Sequence, residues 1–362
     1  MCVGVYIHIP FCRGKCPYCD FYSCVHKNLE HSYVEALNNR LLKTCGIKAD
    51  TLYIGGGTPS MLEPCALSSV INTAKKAFCI EEKAEITVEC NPSDDLKKLI
   101  PEAVKSGVNR ISLGLQSAVD EERKSLSRRA NCEDVKQAVE IIKKIGVYNI
   151  SLDLMLGIPG QTADSLKRSI EFCAEAEAKH VSAYILKIEE NTHFYKVQDT
   201  LKLPNEDQTC ELYLKTCELL DSYGYRQYEI SNFAKPGYES SHNLKYWNAE
   251  EYIGFGPSAH SFFKGRRSYY ESDTDSFISG KDSIDDGPGG DMQEYMMLRL
   301  RLSEGIKNSL FYKRFGTDIP RGVILKAKEL QPGGLVVTDG GSVRLTRNGF
   351  LLSNSVISHI LN

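Results

Sequence analysis

The chain has 362 residues, 42% of them hydrophobic and 25% charged, which is enough for one large α/β domain and a smaller one around a sizeable core. Its 44 Lys and Arg against 47 Asp and Glu leave a net charge of −3, so there is no basic footprint for nucleic acid or an anionic membrane. No apolar run reaches the roughly 18 residues of a membrane span and no secretory signal pattern opens the chain, so a cytoplasmic protein is expected. Of the 13 cysteines, ten are scattered without a disulfide framework and read as small core residues.

In chain order, a strand over Gly4–Ile9 runs directly into Cys12, Cys16 and Cys19, a C-x3-C-x2-C array on one short loop. Three thiolates on such a loop can hold three irons of a 4Fe–4S cube and leave the fourth iron open. A structural zinc site is the alternative, with His8 or Cys24 as a fourth ligand. Further strands are predicted over Thr51–Ile54, Glu85–Glu89, Arg110–Leu115, Ile150–Leu154 and Val181–Ile185. Between them run helices with apolar residues at three- and four-residue spacing, as in Tyr33, Val34, Leu37 and Leu41, or Val135, Ala138, Val139 and Ile142. Six βα units of this kind predict a parallel sheet, too few to close an ordinary eight-strand barrel and compatible with an open or a partial one.

The segments that follow the strands carry the chemistry, because parallel α/β folds gather functional groups at the carboxyl ends of strands. After the second strand come Gly55, Gly56, Gly57 and Thr58, where a ligand can approach backbone that has no Cβ. A tight βα turn is the plain structural explanation. Glu89 ends the third strand, Gln116 follows the fourth, and Asp153 lies in the fifth. Arg128 and Arg129, twelve and thirteen residues beyond Gln116, each carry a guanidinium that can pair with a carboxylate.

A helix over Asp207–Leu220 precedes the segment Gln227–Ser231. Beyond it, His242, Asn243, Tyr246 and Trp247 form an H-N-x-x-Y-W motif, with His260 shortly after in a Gly-rich stretch. An imidazole beside flat aromatic rings suits a porphyrin, and a buried histidine hydrogen-bonded within an aromatic cluster is the alternative. The polar stretch Ser272–Asp291 reads as a flexible surface loop. The tail then reads as a helix over Met292–Leu302, a hairpin over Leu335–Leu345 and a last helix from Arg347, a winged-helix-like α+β arrangement. Domains over 1–236 and 237–362 are expected.

The cysteine array and glycine turn together resemble the radical S-adenosylmethionine enzymes. Glu89, Gln116, Arg128 and Asp153 narrow the resemblance to their coproporphyrinogen-oxidase-like branch. It implies a partial (β/α)6 barrel with a HemN-type C-terminal domain. It also implies a 4Fe–4S cluster on Cys12, Cys16 and Cys19. S-adenosylmethionine would meet Tyr6, Tyr18, Gly56, Gly57, Thr58, Glu89, Gln116, Arg128 and Asp153. True oxygen-independent coproporphyrinogen oxidases have a fourth cysteine where this chain has Phe21, which puts that activity in doubt. The H-N-x-x-Y-W motif instead resembles the HemW type of heme chaperone. That implies heme as cargo near His242, Asn243, Tyr246 and Trp247, respiratory heme-accepting proteins and an electron donor as partners, and is compatible with a homodimer and peripheral membrane association. A radical oxidoreductase acting on a tetrapyrrole and a zinc-stabilised scaffold are the competing functions.

Overall fold

The computed structural model describes residues 2–25 and 27–362. Its centre is a run of six parallel strands in chain order: β1 (Val3–Ile9), β2 (Ala49–Gly56), β3 (Glu85–Cys90), β4 (Arg110–Gln116), β5 (Ile150–Leu156) and β6 (His180–Ile185). Helices α1 (Glu30–Lys43), α2 (Pro64–Ala77), α3 (Leu96–Lys105), α4 (Asp120–Ser125), α5 (Cys132–Lys144), α6 (Ala163–Glu175), α7 (His193–Val197) and α8 (Glu206–Ser222) lie between and after these strands. The expected partial βα barrel is therefore present.

The two faces of the strands differ in chemistry. Val5, Ile7, Leu52, Ile54, Val88, Ile111, Leu113, Leu152, Leu154 and Val181 belong to the apolar core that also takes Leu37, Val70, Ile100, Val139 and Ile170 from the helices. The alternate residues, among them Tyr6, Tyr53, Glu89, Ser112, Asp153 and Ser182, line an interior cavity instead. Period-two alternation thus separates a packed face from a ligand-facing one within the same strands. An ordinary parallel sheet buried on both faces would read as nearly continuous apolar runs. Helix starts are fixed locally: Asn131, Thr162 and Asn205 form capping boxes on α5, α6 and α8, each contributing about 1 kcal/mol.

The sheet continues past the six strands at both edges. Beyond β6 lie β7 (Arg226–Gln227) and β8 (Asn232–Ala234), with β8 antiparallel to β6 and paired to β7. After α9 (Ser241–Trp247), strand β9 (Tyr252–Phe255) returns to pair in parallel with β1, and β10 (His260–Phe263), β11 (Arg266–Tyr269) and β12 (Ile284–Pro288) extend that edge as an antiparallel meander. The division expected between 236 and 237 therefore falls inside a continuous twelve-stranded sheet.

The stretch 272–291, expected as a flexible loop, instead holds α10 (Thr274–Ile278) and β12. The Phe277 ring is buried there against Tyr33 of α1, and Ile278 beside it packs on the same core, apolar anchors in a polar sequence. The tail contains α11 (Met292–Arg299), the hairpin β13 (Val336–Asp339) with β14 (Ser342–Leu345), and the helices α14 (Arg347–Leu351) and α15 (Ser353–Leu361), matching the expected order. Two further helices, α12 (Asn308–Phe315) and α13 (Arg321–Leu330), lie before the hairpin and have no counterpart in the sequence reading. Phe311 and Phe315 of α12 pack on Tyr295 of α11.

Candidate active site at the carboxyl ends of the strands

A cavity of about 960 Å³ opens at the carboxyl ends of β1–β6 and is lined by Cys12, Cys16 and Cys19 together with Tyr6, Tyr18, Gly56, Gly57, Thr58, Glu89, Gln116, Arg128 and Asp153. Every residue expected at the cluster and cofactor site is thus gathered around one space. The cysteine loop is closed at its neck. Cys12 N–H donates to the Cys24 carbonyl at 2.9 Å and Cys24 N–H to the Pro10 carbonyl at 2.7 Å. This pairing turns the Cys24 thiol toward Thr274 Oγ1, 3.8 Å away.

His8 is equally occupied. Its Nδ1 meets Tyr6 Oη at 3.2 Å, its Nε2 meets the Tyr22 carbonyl at 3.0 Å, and burial lowers its pKa to about 4. Neither candidate fourth ligand for zinc is therefore presented to the cavity as a free donor. Among the described residues no three His, Cys, Asp or Glu side chains converge on one metal ion. Thiolates that each hold a separate iron of a cube need no such convergence. Arg128 Nη1 lies 3.9 Å from Cys16 Sγ and supplies positive charge beside a group that becomes anionic on ligation. This donor set fits a three-cysteine cluster.

The glycine turn is explained by packing within the site. A Cβ on Gly55 would lie 2.8 Å from the Glu89 carboxyl, one on Gly56 would lie 2.7 Å from the His8 ring, and one on Gly57 would lie 2.8 Å from the Phe11 carbonyl. Gly56 also has φ +110°. The glycines let Glu89, His8 and the cysteine loop close around the turn, a reason beyond the approach of a ligand. Gly114 plays a similar part, since its Cβ would lie 2.9 Å from Arg128 Nη2. Arg128 reaches through that gap to donate to the Gly114 carbonyl at 3.2 Å. Its neighbour Arg129 stays exposed at the rim, bonded at 3.4 Å to the Arg13 carbonyl.

Glu89 accepts from Tyr53 Oη at 2.7 Å and from the Gly56 N–H at 3.2 Å. Burial nonetheless pushes its carboxyl up to about 7, with those two bonds opposing the shift. Asp153 is raised by burial as well, against bonds from Ser182 and Ser112 and the charge of Arg110. Gln116 has φ +66° where the β4–β5 register shifts, so an ordinary side chain is held in the left-handed region to face the cavity. Tyr18 packs on Phe194, whose cluster includes Leu126, Met155 and Ile158. An acceptor carboxylate pair, an amide, a guanidinium and an aromatic wall suit the hydroxyls, base and carboxylate of a nucleoside-linked amino acid such as S-adenosylmethionine.

Several site residues escaped the sequence reading. Arg110, on the same β4 face as Ser112, is fully buried, lines the cavity, and leaves its Nε unpartnered. Ser112 donates to Asp153 at 3.3 Å, and Tyr53 orients Glu89. The alternation of polar residues along β1–β6 was the signal that could have found them.

The H-N-x-x-Y-W segment is α9, and it closes the opposite, amino-terminal end of the barrel. Glu85 at the start of β3 accepts from the N–H groups of Ser241 and His242, both at 3.1 Å, which fixes the helix start. His242 is 1% exposed; its Nδ1 meets Thr51 Oγ1 and its Nε2 meets Tyr246 Oη, each at 2.8 Å, while its ring stacks on Tyr53 at 5.2 Å. Burial lowers its pKa to about 3. Both nitrogens of His242 are thus in use, the arrangement of a buried hydrogen-bonded histidine within an aromatic cluster, which the sequence left open beside a heme contact. Tyr246 packs edge-on against Tyr252 at 4.5 Å, and Trp247 lies under Arg301, away from the cavity. Only Asn243 of the motif lines the cavity, as does His260.

Comparison with known proteins places this geometry. Residues 6–173 match the model of the radical SAM superfamily and residues 291–352 that of the HemN C-terminal domain. The chain is 34% identical to a protein of Bacillus subtilis named heme chaperone HemW, over 99% of both chains, and 32% identical to the one of Escherichia coli so named, over 99% of this chain and 98% of that one. The radical S-adenosyl methionine domain-containing protein 1, mitochondrial, of Danio rerio is 29% identical, over 99% of this chain and 86% of its own. The solved coproporphyrinogen III oxidase (HemN) of Escherichia coli shares the fold, with a TM-score of 0.84 at 19% identity over 100% of this chain and 90% of that one.

Proposed function

Since the chain belongs to the HemW family of heme chaperones within the radical SAM superfamily, we propose that it binds heme, a 4Fe–4S cluster and S-adenosylmethionine and passes the heme to acceptor proteins. The observation that carries the cofactor reading is the single cavity in which three cysteines, the glycine turn, Glu89, Gln116, Arg128 and Asp153 face one another.

When bound on Cys12, Cys16 and Cys19, the cluster would supply a single electron to the S-adenosylmethionine held beside it. The residues of the chain do the rest. Cys12, Cys16 and Cys19 hold the cluster, and the loop neck at Cys24 fixes their spacing. Arg128, held through the Gly114 carbonyl, faces a carboxylate. Glu89, aimed by Tyr53 and Gly56, accepts hydrogen bonds from ribose hydroxyls while it is ionised. Tyr18 and its apolar neighbours exclude water from one wall.

Respiratory proteins are the acceptors we propose, with a separate electron donor for the cluster and work in the cytoplasm. No helix of the described residues is long and apolar enough to cross a membrane. A radical oxidoreductase acting on a tetrapyrrole is the second reading, favoured by the intact cofactor site. Against coproporphyrinogen decarboxylation stands Phe21, 75% exposed in the cavity wall where such oxidases carry a cysteine. Heme titration of the anaerobically reconstituted protein, run beside a coproporphyrinogen turnover assay, separates the two. Specific heme binding without turnover supports the chaperone, and cofactor-dependent turnover without heme binding overturns it.

A further inference from the structure

A protein that carries heme to another needs a flat apolar contact for the macrocycle, a donor for its iron, cations for its propionates, and access to solvent for release. The described histidines divide sharply by these demands. His8, His180 and His242 are buried with both ring nitrogens hydrogen-bonded to protein groups. His359 pairs with Glu329 in the tail, and His31 and His193 do not line the cavity. His260 is exposed, lines the cavity, and makes no ring hydrogen bond among the described residues.

The surroundings of His260 complete the requirement. Tyr269, its cross-strand partner, stacks on the ring at 5.4 Å and orients it. The loop that leads to it is pressed onto the carboxyl end of β1, for a Cβ on Gly256 would lie 2.5 Å from the His8 carbonyl. The cysteine loop is tied to the same wall through Tyr22 Oη, which accepts from the Thr274 N–H at 2.8 Å. Around this opening Phe21, Tyr184 and Ile185 line the cavity while 75%, 45% and 41% exposed, an apolar rim on solvent. Arg13 and Lys187 at the rim are paired with Asp94 and Glu189, whereas Lys15 and Arg129 have no carboxylate partner among the described residues.

We propose that heme docks at the mouth of the cofactor cavity, with the His260 imidazole on its iron, Phe21, Tyr184 and Ile185 against the ring, and Lys15 and Arg129 facing the propionates. The assignment rests on the heme-chaperone reading and places the iron ligand at the opposite end of the barrel from His242. Partial burial lowers the pKa of His260, which keeps its ring in the neutral, ligating form.

The test is a heme titration of the full, cluster-loaded chain, followed by difference absorption and by electron paramagnetic resonance. His260→Ala is expected to weaken heme binding roughly tenfold or more and to change the axial-ligand signature. Added imidazole should restore the wild-type Soret band in His260→Gly, a rescue that a merely structural role would not give. Phe21→Asp should weaken binding and leave the axial signature unchanged. An unaltered band and affinity in His260→Ala with full iron content overturns the site. Wild-type protein that carries its cluster and binds no heme overturns the heme-chaperone reading itself.

Discussion

At both ends of the barrel the chain sets histidines, tyrosines and carboxylates side by side, and the two ends use them in opposite ways. At the amino-terminal end Glu85 caps α9, His242 is bonded to Thr51 and Tyr246, and His180 is bonded to Ser151 and Tyr228. These groups are buried and paired with one another, so they hold the fold. At the carboxyl end Cys16, Arg128, Gln116 and His260 line open space and keep capacity for a ligand. The same residue types become structure or site according to whether the protein has already used their hydrogen bonds.

The cysteines divide the open end from the closed one most sharply. Anaerobic reconstitution is expected to give about four irons per chain, and Cys16→Ala should lose the cluster completely by iron and sulfide analysis. Cys24→Ala should keep it, because that thiol points to Thr274. A full cluster without Cys16 would contradict the site.

Next in size is the loss of a paired histidine from the closed end. His242→Ala leaves the Thr51 and Tyr246 hydroxyls unpartnered beside a cavity and should cost about 2–4 kcal/mol in denaturant unfolding. His260→Ala, at the open end, should cost under about 0.5 kcal/mol. Equal losses at the two positions would erase the distinction between the ends.

The neighbouring arginines sharpen the open end further. Arg128→Ala is expected to weaken S-adenosylmethionine binding by about 10–100-fold, and Arg129→Ala by about twofold or less, measured by calorimetry on cluster-loaded protein. A reversed order would make Arg129 the cofactor arginine.

The smallest effect is a pH dependence at Glu89. Its carboxyl titrates near 7 in the folded chain against an ordinary value of 4.5. Between those values the folded state binds more protons than the unfolded one, so this group withdraws stability as pH rises and the loss is complete above about 7. Glu89→Gln should therefore stabilise the cofactor-free protein by about 1–2 kcal/mol at pH 8, with the gain fading toward pH 4.5. A gain that does not change with pH would remove the titration from Glu89.

Much of this was legible in the chain because it is local. The strand ends expected at Ile9, Glu89 and Leu115 from alternation and turn residues fall within one residue of those observed at Ile9, Cys90 and Gln116, and the C-x3-C-x2-C spacing confines three thiols to one loop. The coverage of 272–291 was not legible, since Phe277 meeting Tyr33 of α1, with Ile278 on the same core, anchors a segment whose own composition is polar. The helix α12 likewise depends on aromatic contacts with α11 that no single-segment pattern reveals. The use of His242 stayed open for a related reason: imidazole beside tyrosine and tryptophan describes a ligand site and a buried hydrogen-bonded cluster equally well.

By itself the sequence determined the parallel βα order, the cluster loop and the set of polar groups at the strand ends, because each is set by periodicity or spacing within a few residues. The tertiary structure alone decided which of two arginines is held against Cys16 and Gly114 and which stays at the rim, which histidine keeps a free nitrogen, and that the chain returns through β9 to extend the sheet beside β1. Those outcomes depend on contacts between residues such as Thr51 and His242, 191 positions apart. Whether a polar side chain is spent on the fold or left for a ligand is fixed only when such distant partners meet.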